Sequence, residues 1–197
     1  MFTKEYYADL PHYIVGILSG LNTIASSIRE AGGIDGVIGF SQGAAAAAFV
    51  ASLLESGRED AFAAQHKKNP SALPYPESFA TLKKDLGQGP LKFAVSYSGF
   101  FAPSEDYTAF YEPKIKTPLL HVIGSLDGVV EESRTLALVY ACEGNDGTGR
   151  SKRVVYHPGG HFVPVNKEMA GVLVGFVREC CEVKKEEKSV EDMDVPF

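Results

Sequence analysis

The chain is poor in cysteine, has no excess of basic residues, and contains no apolar run long enough to cross a bilayer. Its three cysteines, Cys142, Cys180 and Cys181, include an adjacent pair and lack metal-ligand spacing. A disulfide framework is therefore disfavoured, and a reduced intracellular setting fits better. Lysine and arginine number 19 against 25 aspartates and glutamates, giving a formal net charge of −6, and the basic residues are scattered. No basic face is available to neutralise phosphates, which disfavours nucleic acid as a partner. The alanine run from Ala44 to Ala48 continues through Phe49, Val50 and Ala51 but meets Glu55 too soon to span a membrane. The first residues lack the basic and then apolar segments of a signal peptide. These absences lead to the expectation of a protein of the cytoplasm, or the nucleus.

Apolar residues make up 45% of the 197 positions and charged residues 22%. That balance suits a folded globular chain, and the length suits one domain with a real core. The expected domain covers residues 1–183. The charged stretch 184–197 is expected not to pack.

From Tyr13 to Ile28, apolar residues including Ile14, Ile17, Leu18, Leu21 and Ile24 recur at helical spacing, and Gly32-Gly33 stops the helix. Residues 36–40 form a short apolar run that leads directly into alanine-rich, helix-favouring sequence. Strands are predicted at 91–97, 118–123 and 153–156, with helices at 131–142 and 166–183. The stretch 57–90 carries Pro70, Pro74, Pro76 and Pro90 and has weak periodicity. It reads as a polar excursion outside the core, placed to cover a pocket. Strands alternating with helices imply the α/β class, with a mostly parallel sheet and helices on both faces.

Gly39-Phe40-Ser41-Gln42-Gly43 lies where the first predicted strand becomes a helix. The glycines permit a sharp turn that holds a serine hydroxyl above the sheet edge. The new helix aims its first amides at the same point, so the Gln42 N–H is the candidate donor to an oxyanion. Ser96 and Ser98 are weaker nucleophile candidates because neither lies in a glycine-flanked turn. A serine needs a base to take its proton, and the base needs a third group to fix its tautomer. Asp127 follows the strand 118–123, with Glu131 as the nearest substitute. His161 follows the strand 153–156 beyond Pro158-Gly159-Gly160, while His157, at the strand end, reads as structural. His12, His66 and His121 form no pair at helical metal-ligand spacing, so neither a metal nor a cofactor is expected. Phe40, Phe100, Phe101, Tyr107 and Phe162 are candidate pocket walls.

With Gly39-Phe40-Ser41-Gln42-Gly43, Gly124-Ser125-Leu126-Asp127-Gly128-Val129-Val130 and His157-Pro158-Gly159-Gly160-His161-Phe162-Val163-Pro164 in this order, the sequence resembles the FSH family of serine hydrolases, particularly fungal members. The resemblance implies an α/β-hydrolase fold and esterase or thioesterase activity on small acyl substrates. It also puts Ser41, Asp127 and His161 at the family's triad positions. Family members begin with a strand and a His-Gly loop that supplies a second oxyanion N–H, and neither precedes the first helix here. The expectation is of an N-terminally incomplete fold that keeps the Gln42 donor alone, a loss of about a hundred- to a thousand-fold in turnover. The strand 36–40 would then be an exposed apolar edge open to self-association. A non-catalytic binding module of the same fold and an acyltransferase using the same residues are the competing readings.

Overall fold

The computed structural model describes residues 12–144 and 153–182. Helix α1 (His12–Glu30) leads into strand β1 (Gly36–Phe40) and helix α2 (Gln42–Leu54). Helices α3 (Arg58–Lys68) and α4 (Glu77–Leu86) precede β2 (Phe93–Tyr97), a 3-10 turn (Glu105–Tyr107) and the short α5 (Thr108–Tyr111). β3 (Leu119–Gly124), α6 (Glu132–Tyr140), β4 (Val154–His157) and α7 (Lys167–Cys181) complete the order. The charged stretch 184–197 lies outside the described residues.

The four strands form one parallel sheet in the order β1-β2-β3-β4. Phe40 is level with Tyr97, Tyr97 with Val122, and Gly124 with His157. All four strands therefore end along one edge, and the loops that follow them meet there. Ligands of open α/β sheets bind at that edge. Among the described residues β1 is an outer strand of the sheet, and Ile38 is 52% exposed.

The two faces of the sheet bury different layers. Val95, Tyr97, Leu120 and Val122 face α7, whose Met169 and Phe176 are buried against them. On the other face, α1 contributes Leu18, Leu21, Ala25 and Ile28 at helical spacing to the larger core. α2 packs on β1 and β2 and buries Ala44, Ala47, Ala48 and Ala51. Alanines at these positions let the helix axis lie close to the strands.

The stretch 57–90 departs from the sequence expectation. It is not an excursion outside the core: Phe62, Leu73, Phe79 and Leu82 are all part of the larger core. Arg58, a charged residue of this stretch, is only 1% exposed. Its guanidinium meets Glu55 at 2.5 Å and donates to the carbonyls of Ala109 and Pro113. The other Glu55 oxygen accepts from the amides of Lys116 and Thr117. A charge paired with a carboxylate and hydrogen-bonded to two carbonyls can be buried, although it reads as surface in sequence.

Candidate active site

Ser41 caps the N-terminus of α2 with φ 54° and ψ −121°, a backbone conformation that costs free energy in a non-glycine residue. Neighbouring bonds hold it there. Its amide donates to Tyr97 O at 2.8 Å, and its carbonyl accepts from Ala44 and Ala45. The side chain makes no capping bond, so the hydroxyl is turned away from the helix. Gly39 makes the turn possible, because a Cβ there would strike the carbonyl of Gly43 and come within 2.6 Å of the Ala44 nitrogen.

The loop after β3 carries Asp127, and the loop after β4 carries His161. Two backbone bonds join them: Ser125 N to His157 O and Leu126 N to Gly159 O, both at 2.9 Å. His161 Nδ1 lies 2.9 Å from Asp127 Oδ2, and His161 Nε2 lies 3.0 Å from Ser41 Oγ. The His161 side chain is 17% exposed and that of Asp127 is 6% exposed. The three residues singled out by their motifs are thus hydrogen-bonded in succession.

Burial acts to raise the Asp127 pKa, but the Val130 amide, the His161 ring, the Val129 amide and the Ser98 hydroxyl together hold it well below the usual carboxylate range. The two amides donate to Oδ1 at 2.9 and 3.0 Å. An ionised carboxylate only accepts, so the imidazole proton sits on Nδ1 and the Nε2 lone pair faces the serine. The first amides of α2, Gln42 among them, have no intrahelical acceptor and follow Ser41 directly in the chain.

The alternatives are placed elsewhere. His157 is buried and packs on Phe162, with ring centroids 5.1 Å apart. Glu131 caps α6 through its carbonyl, which accepts from Arg134 and Thr135. Among the described residues no group of His, Cys, Asp and Glu could hold a metal ion, and no helix is long and apolar enough to cross a membrane.

A mostly apolar cavity of about 730 Å³ opens beside Gln42 and Gly43 and runs between α1 and α2. Gly16, Ile17, Gly20, Leu21 and Ile24 form one wall; Ala45, Ala46, Phe49, Phe100, Ala102 and Tyr107 form the other. Of the five expected aromatic walls, Phe100 and Tyr107 are here. Phe40 instead lies against the His161 ring at 4.7 Å, Phe101 stacks on Tyr111 at 4.2 Å, and Phe162 is half exposed. No residue of 57–90 lines this cavity, because that stretch is committed to the core. The α1 wall was missed in sequence: small residues on a helix carry no signal of their own there.

A family model described as serine hydrolase (FSH1) matches residues 3–172. The chain is 34% identical over 144 residues to a Schizosaccharomyces pombe protein named dihydrofolate reductase, covering 73% of this chain and 25% of that protein. It is 31% identical over 159 residues to Family of serine hydrolases 3 of Saccharomyces cerevisiae, covering 80% and 48%. With Esterase OVCA2 of Danio rerio it shares 29% identity over 151 residues, covering 76% and 52%. The chain thus spans from a quarter to about half the length of these relatives.

Proposed function

The chain belongs to the serine hydrolase (FSH1) family, and from that membership we propose that it cleaves a small carboxylic ester or thioester through an acyl-enzyme on Ser41. His161 is the general base and acid, Asp127 orients the imidazole, and the Gln42 amide receives the oxyanion. The observation that supports this is the succession of two hydrogen bonds, 3.0 Å from Ser41 Oγ to His161 Nε2 and 2.9 Å from His161 Nδ1 to Asp127 Oδ2.

In the first half-reaction Ser41 Oγ bonds to the carbonyl carbon as its proton passes to Nε2. The carbonyl oxygen becomes an anion at the N-terminal end of α2, where an amide dipole already points. Collapse breaks the bond to the leaving alcohol or thiol, which takes the proton from His161. Water then gives a proton to Nε2 and attacks the acyl carbon. The Ser41 oxygen leaves with that proton, and the acid product departs. Asp127 stays ionised throughout and stabilises the imidazolium formed in each half.

The cavity between α1 and α2 begins at Gln42, beside the reacting carbon, and its mostly apolar lining suits the acyl portion of the substrate. The test is labelling with a fluorophosphonate and, on a separate unlabelled sample, turnover of p-nitrophenyl esters. Wild type is expected to label and turn over, and Ser41→Ala to do neither. Folded wild-type protein that does not label would end this reading in favour of a binding module.

A further inference from the structure

The two nitrogens of the His161 ring are taken by in-plane partners, Asp127 at Nδ1 and Ser41 at Nε2. The faces of the imidazole are left, and Phe40 lies against the ring. The centroids are 4.7 Å apart and the planes are tilted by 41°. Rings in edge-to-edge contact stand farther apart, and an edge-on contact would bring the planes near perpendicular. The π-cloud of Phe40 is therefore turned toward the imidazole.

Burial does not account for a phenylalanine at this position. Phe40 is level with Tyr97 on the neighbouring strand, and Ile38 with Val95. Val95 and Tyr97 are buried in the layer under α7, but their partners on the outer strand are not: Ile38 is 52% exposed and Phe40 38%. A side chain left this open contributes only part of its area to the core. Among the described residues, the ring that Phe40 meets is that of His161. What an aromatic ring adds over an aliphatic side chain is a negative face, which attracts a cation within about 6 Å of its centre. His161 becomes such a cation each time Nε2 takes a proton.

We propose that Phe40 is a positioning residue for the base: its π-face holds the imidazole toward Ser41 and favours the imidazolium that forms when Nε2 takes the serine proton. This rests on the reading of Ser41, His161 and Asp127 as the reacting group. Phe40 takes no proton and acts through His161 alone, at the face of a ring whose edge Asp127 already holds. The attraction is weaker for the neutral ring than for the cation, so it lowers the barrier and leaves substrate binding unchanged.

Three altered forms of the full chain test it: Phe40→Leu, and chains carrying difluoro- or trifluorophenylalanine at position 40. Fluorine draws electron density from the face of the ring and nearly preserves its size. For each form, kcat and KM on one p-nitrophenyl ester, the rate of fluorophosphonate labelling and the thermal midpoint are measured. Both rates are expected to fall stepwise with fluorination, and by about fivefold in Phe40→Leu, as for loss of one cation–π contact. KM and the thermal midpoint should stay near the wild-type values. Fluorinated chains that keep the wild-type rates overturn the proposal even where Phe40→Leu is slow, because a displaced imidazole would then account for that loss. A wild-type chain whose Ser41 neither labels nor turns over defeats the underlying reading, and the role of Phe40 with it.

Discussion

The amide of Leu126 donates to the carbonyl of Gly159 at 2.9 Å, and this bond fixes the distance between the loop bearing Asp127 and the loop bearing His161. The approach is close because Gly124 has no side chain: a Cβ there would lie 2.5 Å from Gly160 O and 2.7 Å from Gly159 O.

Gly124→Ala is therefore expected to push the His161 loop outward while the sheet beneath survives. A misplacement on the order of 1 Å costs about a hundredfold in rate, against a stability loss of about 1–3 kcal/mol for the added methyl. Steady-state kinetics and a thermal melt on the same sample check this. Unchanged kcat would mean that the loops need not approach so closely.

Asp127→Asn keeps an acceptor for the Val129 and Val130 amides but turns an N–H donor toward His161 Nδ1. The imidazole then takes the wrong tautomer for accepting the serine proton, and kcat is expected to fall by roughly 10⁴-fold. Fluorophosphonate labelling should slow in parallel while the circular dichroism spectrum stays native.

His121 lies in β3, wholly buried, and burial pushes its pKa down to about 3. The folded state keeps the ring neutral, whereas the unfolded chain protonates near the ordinary histidine value of about 6.5. Stability should thus be intact above that value and fall as pH drops through the window toward 3. Between about pH 6.5 and about pH 4.5 this ring accounts for roughly 2 kcal/mol. The stabilisation from ionised Asp127 persists there and is lost only at lower pH. Urea melts of wild type and His121→Leu at the two pH values test this, and equal pH slopes would refute it.

Arg58→Met leaves Glu55 buried without its ion-pair partner. A broken buried pair costs about 3–5 kcal/mol, read as a lower urea midpoint. The double variant Glu55→Gln/Arg58→Met is expected to recover part of that loss, because no lone charge remains.

Gly20 lines the cavity, and an added Cβ would meet no atom within 4 Å. Gly20→Phe should therefore fold well, yet fill the space beside the acyl portion. The ratio of kcat/KM for octanoate over acetate esters is expected to fall about tenfold, with the acetate value unchanged. An unaltered ratio would mean that the acyl portion lies elsewhere.

Much of this geometry was legible because turn chemistry is local. Gly39 and Ser41 stand at a strand-to-helix junction, and that placement, more than the motif's spacing, indicates which way the hydroxyl points. Asp127 and His161 were legible from their place after successive strands, since parallel strands bring such loops to one edge. The stretch 57–90 was less so: Arg58 reads as a surface charge, and its burial follows from finding Glu55 and two distant carbonyls, a long-range event that no window of sequence reports. The aromatic walls were only partly legible: Phe100 and Phe101 are adjacent, yet one lines the cavity and the other stacks on Tyr111. The positive φ of Ser98, 48°, left no trace in the sequence, since a serine carries no mark of it.

The alanine face of α2 leaves the helix no slack. Its residues against the strands are already almost as small as side chains come, so accommodation of a bulkier substrate cannot be gained by trimming there, and any enlargement pushes the helix off the strands. Room for altered selectivity lies on the α1 side, where side chains can grow or shrink without moving the reacting serine. Change in this scaffold is therefore directed to α1 and to the residues after β2, with the strand-facing side of α2 held fixed by the turn it must support.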